Sequence, residues 1–189
     1  MNNVRLRVLV EIALAVALAA VLNWFGVRLP FNIAGGRVSL DMLPIFVVAL
    51  RRGLLPGVIA GAAWGCADLL FDPYIVHPVQ VVLDYPLAFA LCGVAGLGAA
   101  PVASALKRGQ AGLTAALSAG FSLVGATGRF ASHWLSGIVF FASSAPKGQP
   151  VGIYSAVYNL AYVAPSAIAC AVLAALLVPT LDRAVPVER

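Results

Sequence analysis

The residues able to do chemistry in this chain gather in three short stretches, each set in otherwise apolar sequence. The first is His77-Pro78-Val79-Gln80-Val81-Val82-Leu83-Asp84-Tyr85, which places an imidazole, an amide, a carboxylate and a phenol within nine residues. Gln80 and Asp84 stand one helical turn apart and share a face. The second is Arg129, His133, Gly137 and Phe141, recurring every four residues. Gly137 is expected to leave a gap between the imidazole and the Phe141 ring, room for a flat ligand. The third is Tyr154, Tyr158 and Tyr162 at the same spacing, with Asn159 beside Tyr158. An acid at the middle of a membrane-spanning helix costs about 2.5–3.5 kcal/mol on insertion scales unless it meets a cavity or a partner. Asp84 is therefore read as the counter-charge of a ligand. Aromatic faces supply stacking and cation–π attraction, and Asn159 with His133 can address ring nitrogens. Together these groups suit a planar, partly cationic small molecule.

Each stretch also has a purely structural reading. Tyrosines near a helix end often form an interfacial belt. His133 could be a core histidine bonded to a neighbouring carbonyl, and Arg129 could close an ion pair with Asp84 that leaves no room for a ligand. Convergence favours the binding reading, because three segments place donors, acceptors and rings at similar depth.

The elements that must carry these groups are membrane helices. Hydrophobic residues make up 62% of the 189 and charged residues only 10%, with mean hydropathy +0.98. A soluble domain carries about 25% charge. The expected architecture is all-α, a single domain over residues 1–189 with six transmembrane helices. Their expected spans are Val8–Phe25, Leu40–Leu50, Leu54–Phe71, Pro78–Ala100, Ala111–Phe141 and Val151–Val178. Pro101 and Pro179 are expected to stop the fourth and sixth, and glycines to kink the fifth. The loop Val27–Ser39 is long for a connection and is the candidate lid. In the first helix Ala13/Ala17 and Ala15/Ala19 are spaced i,i+4 and read as adjacent small-residue stripes, serving either packing within the chain or docking of another subunit.

Basic residues set the orientation. Arg5, Arg7, Arg51, Arg52, Lys107, Arg108, Arg183 and Arg189 fall on one side, against Arg28, Arg37 and Lys147 on the other. Both termini are expected in the cytoplasm, with Asp84 about two turns below the outer surface. The net charge of +5 does not imply nucleic acid, since the basic residues form no contiguous face. Cys66, Cys92 and Cys170 lie in apolar segments without metal spacing and read as small packing residues.

Enzyme readings fail on motifs. Ser136-Gly137 lacks the upstream glycine of an intramembrane serine protease, since Trp134 stands there. There is no HExxH, two histidines cannot build a His-rich metal site, and no GxxxxGK[ST] phosphate loop is present.

The motifs His77-Pro78…Asp84-Tyr85-Pro86-Leu87-Ala88-Phe89, Ala145-Pro146-Lys147-Gly148 and Tyr154-Ser155…Tyr158-Asn159, with Ser39-Leu40…Leu43-Pro44-Ile45, resemble the thiamine-specific substrate-binding component of energy-coupling factor transporters. The resemblance runs nearly the length of the chain. It implies a subunit of the cell membrane that captures thiamine outside and docks on a transmembrane coupling protein with two ATPases. ATP would be used by those partners, and no cofactor is held by this chain. Binding residues carry over at Asp84, Tyr85, His133, Tyr154 and Asn159, beside Gly137, Phe141 and Tyr158 from the spacing argument. The family commonly has glutamate where Asp84 stands and tryptophan where Phe141 stands. It also uses small-residue stripes on the first helix for docking, which shifts Ala13, Ala15, Ala17 and Ala19 toward that role. The competing reading is a self-sufficient, ion-coupled transporter of another small planar cation.

Overall fold

The computed structural model describes residues 3–27, 36–71 and 73–187. These residues form six helical rods: α1 (Asn3–Trp24), α2 (Met42–Arg52), α3 (Leu54–Asp68), α4 (Pro78–Lys107), α5 (Ala111–Phe140) and α6 (Val151–Ala184). No strand occurs among the described residues, only one bridge pairing Val27 with Val38. That bridge closes the base of the expected lid, whose residues 28–35, Arg28 included, lie outside the described residues, as does Arg189. Four rods, α1, α4, α5 and α6, are long and apolar enough to cross a membrane. α2, at 11 residues, spans only about 16 Å.

α2 is the hub. Nearly every side chain it carries is buried, and Phe46, Ile45 and Leu50 anchor a core shared with Trp64, Phe89, Cys92 and Cys170. Its basic end ties in two other helices. Arg51 Nε donates to Asp182 Oδ1 of α6 at 2.5 Å and Arg51 Nη2 to the Val185 carbonyl at 2.6 Å. Arg52 forks onto both oxygens of Glu11 in α1 at 2.6 and 2.7 Å. Gly53 then turns the chain directly into α3 at φ +95°, a conformation side-chain-bearing residues avoid.

α3 and α4 pack backbone to backbone. A Cβ on Gly61 would meet the Phe89 carbonyl, and one on Gly65 the Tyr85 carbonyl and Pro86. α4 is regular only in parts: a π turn at Leu83–Leu87 and a 3₁₀ stretch at Gly93–Gly98 interrupt it. Pro86 sits inside the π turn, where its missing N–H is accommodated by the widened ladder. Ser132 of α5 donates to the Leu83 carbonyl at 2.6 Å and braces that turn.

Four expectations need correction. Pro101 does not end the fourth helix, which continues to Lys107. It falls in the first turn after the 3₁₀ stretch, where proline is tolerated. Pro179 does not end the sixth, which runs to Ala184, because Asp182 and Val185 are held by Arg51. The stripes of α1 do not share a face: residues two apart on a helix point opposite ways. Ala13 and Ala17 are exposed, while Ala15 and Ala19 are buried against the bundle, which takes those two out of any docking surface. Among the cysteines, Cys92 and Cys170 are buried but Cys66 is exposed.

Candidate binding cavity

The end of the bundle away from the Arg51 and Arg52 pairs opens into a cavity of about 160 Å³. A single buried water needs about 10–15 Å³ of such space, so the cavity has room for a ligand. All six rods or the segments leading into them contribute walls, among them Asn23, Asp41, Asp68, Asp84, His133 and Tyr158. The eight residues singled out for ligand binding, Asp84, Tyr85, His133, Gly137, Phe141, Tyr154, Tyr158 and Asn159, all line it.

Asp84 lies in the π turn of α4, partly exposed to the cavity, its side chain 17% accessible. Gln80, one turn earlier and fully buried, donates from Nε2 to Asp84 Oδ2 at 2.7 Å. The same amide clamps the α3–α4 loop, donating to the Tyr74 carbonyl at 3.0 Å and accepting from Val76 N at 3.1 Å. His133 Nδ1 approaches Asp84 Oδ1 at 3.2 Å. Both partners of the carboxylate are thus hydrogen-bonding groups other than Lys or Arg. The Arg129–Asp84 pair of the alternative, purely structural reading does not form. Arg129 Nη1 instead donates to Asp41 Oδ1 at 3.1 Å, and its guanidinium carbon lies 4.2 Å from the Phe89 ring centroid.

Rings make the remaining walls. Tyr154, Tyr158 and Tyr162 form a ladder with centroids 6.0 and 6.3 Å apart, descending from half-exposed to buried. The His133 imidazole meets Tyr162 edge-on at 6.0 Å. Across the cavity Tyr74 packs on Phe141 at 5.9 Å, and at the rim His77 stacks on Phe140 at 5.0 Å. Tyr85 Oη accepts from Tyr74 N at 2.7 Å and holds the loop against α4.

Two roles expected from the sequence change in the structure. Gly137 lines the cavity, yet a Cβ there would strike Ser155 Oγ. The glycine admits α6 to α5 rather than opening space for a ligand. Asn159 has both amide hydrogens engaged, with Ser155 and the His133 carbonyl, and its Oδ1 accepts from Tyr162 at 2.7 Å. One lone pair on Oδ1 remains for a ligand, so Asn159 offers an acceptor and no donor.

Sequence reasoning missed Asp41. It stands where a helix cap is expected, at the start of α2, but makes no cap hydrogen bond and is fully buried against Arg129. The available signal was Arg129 itself, a cation within an apolar helix that requires an acid somewhere. Asp68 was missed as well: it lines the cavity and accepts from Asn23 Nδ2 at 2.8 Å.

Residues 9–185 match the model of the family described as thiamine transporter protein. The chain belongs to that family. The thiamine transporter ThiT of Bacillus subtilis is 39% identical over 178 residues, covering 93% of this chain and 92% of the relative. The thiamine transporter ThiT of Lacticaseibacillus paracasei is 31% identical over 161 residues, covering 82% and 78%. The solved structure of ThiT from Listeria monocytogenes superposes with a TM-score of 0.81 at 28% identity, covering 97% of each chain. The family match begins inside α1 and ends one residue beyond α6, so the cavity lies wholly within it. Membership in a transporter family implies transport rather than catalysis.

Proposed function

We propose that this chain is the thiamine-binding subunit of an energy-coupled importer in the cell membrane, folded as one six-helix domain. It takes thiamine from outside and releases it inside when docked on a transmembrane coupling protein driven by two ATPases. The observation that carries the reading is the carboxylate of Asp84. It is held by Gln80 and His133, with no arginine or lysine on it among the described residues, in a cavity walled by aromatic rings. A site of that kind lacks one positive charge, and a thiazolium ring supplies one.

In this mechanism Asp84 neutralises the thiazolium, and Phe141 and the His133 face stack on the flat rings. Tyr154 and Asn159 address the aminopyrimidine, Asn159 accepting from the exocyclic amine. Tyr85 reaches the hydroxyethyl end, and Tyr158 closes the wall beside it. Ala13 and Ala17, on the exposed face of α1, are the docking contacts. Charge distribution supports the orientation. Arg51 and Arg52 sit at the end opposite the cavity, and by chain direction Arg5, Arg7, Lys107, Arg108 and Arg183 join them, so positive-inside bias puts that end and both termini in the cytoplasm.

Calorimetric titration of the purified chain with thiamine tests the binding claim. Saturable one-to-one heat is expected, and its absence removes the reading. Uptake by cells carrying the coupling module separates the two transport mechanisms. Dependence on the partner ATPases, with indifference to proton and sodium ionophores, is expected. Uptake that collapses with an ionophore and survives loss of the ATPases instead establishes a self-sufficient transporter.

A further inference from the structure

Arg129 touches His133 as well as Asp41. Its Nε lies 3.3 Å from His133 Nε2 in donor geometry. A guanidinium can only donate, so Nε2 must be the accepting, bare nitrogen of the imidazole. The opposite nitrogen, Nδ1, lies 3.2 Å from Asp84 Oδ1. A carboxylate oxygen accepts, so Nδ1 carries the proton. The chain of bonds therefore has one direction. Arg129 donates to Asp41 on one side and to His133 on the other, and His133 donates to Asp84, whose second oxygen receives Gln80.

We infer that Arg129 is a positioning residue for the ligand site, locking His133 in its Nδ1–H form so that it aims Asp84 into the cavity without cancelling its charge. A proton on Nε2 would oppose two N–H groups in a buried space, where Arg129 is only 7% exposed and such a clash is costly. The Asp41 carboxylate and the Phe89 ring hold the guanidinium in place. The other groups facing the imidazole are the edge of Tyr162 and, through the His133 carbonyl, the Asn159 amide. Neither offers Nε2 an alternative partner. One consequence follows for recognition: with both ring nitrogens engaged, His133 presents its face to a ligand and no hydrogen-bonding edge. The inference rests on the reading of Asp84 as the ligand's counter-charge.

Lysine cannot substitute, because an ammonium is a point charge whereas the guanidinium reaches two partners from separate nitrogens. Arg129→Lys keeps the charge beside Asp41 and loses the lock. The chain holds only two histidines, His77 and His133. Nitrogen-15 spectra of histidine-labelled protein in micelles are therefore simple, and His77→Asn, which keeps a helix-capping residue, assigns them. The expected wild-type spectrum shows a protonated Nδ1 and a bare Nε2 for His133. Arg129→Lys is expected to give mixed tautomers and about tenfold weaker thiamine binding, the scale of a lost hydrogen bond in a charged network. If that variant is not recovered folded, Asp41→Asn with Arg129→Met removes both charges together, and the same tautomer mixture is expected. A protonated Nε2 in the wild type overturns the inference, as does an unchanged His133 spectrum in the variant. Thiamine affinity unchanged in Arg129→Lys also overturns it, by separating the lock from the aim of Asp84. Wild-type protein that binds no thiamine defeats the functional reading alone, since the spectra decide the lock without ligand.

Discussion

The two ends of the bundle treat charge in opposite ways. At the basic end each buried cation meets an acid directly: Arg51 meets Asp182, and Arg52 meets Glu11. At the cavity end Asp41 is matched by Arg129, but among the described residues Asp84 is held only by Gln80 and His133. Closed pairs hold helices together and ask for nothing further. In the proposed reading, a carboxylate oriented by donors that leave its charge in place takes a cationic ligand. On that reading, the difference separates structural ionic groups from a ligand-binding one within a single chain.

Removing one partner of a closed pair is the harshest way to break this contrast. Asp182→Ala leaves Arg51 buried and unmatched, which costs about 3–5 kcal/mol. A markedly lower thermal midpoint is expected, with an unchanged thiamine dissociation constant for the protein that remains folded at low temperature. Thiamine affinity falling in step with stability would show that the two ends are not independent.

The converse substitution acts on binding. Asp84→Asn keeps the shape but offers one acceptor where Gln80 and His133 donate to two, so a loss of about 1–2 kcal/mol in stability without ligand is expected. Thiamine binding should weaken at least tenfold, about 1.4 kcal/mol, read by calorimetry. An unchanged dissociation constant removes the counter-charge role.

What the sequence disclosed and what it hid divide along the same line. Groups on one helix at four-residue spacing were legible, and the tyrosine ladder, the Gln80–Asp84 pair and the Arg129–His133 pair follow from helical period alone. The number of rods was legible too, from apolar runs and their punctuation. Relations between distant segments were not. Asp41 looks like a cap because its partner is 88 residues away. Pro179 looks like a stop because the anchor that carries α6 past it is Arg51 on α2. The π turn under Asp84 depends on Ser132 of α5 and on the close approach of Gly65, neither visible in the local sequence. Ala15 and Ala19 are a different case: helical geometry alone puts them opposite Ala13 and Ala17, and the structure buries them.

The mildest test lies at the rim of the basic end. The Glu11 side chain is 24% accessible where its partner Arg52 is 7%, so solvent screens part of the attraction. Glu11→Gln retains one acceptor for the guanidinium and removes the charge. The expected loss of stability is about 0.5–1 kcal/mol, as for partly exposed pairs, with no change in thiamine binding. Comparing this variant with Asp182→Ala in the same unfolding experiment ranks the two pairs that join α2 to its neighbours. If Glu11→Gln destabilises as much as Asp182→Ala, the α1 pair is as deeply structural as the α6 pair. The face of α1 bearing Ala13 and Ala17 would then be held rigid from its inner side, and a docking partner would meet a fixed surface rather than one that adjusts.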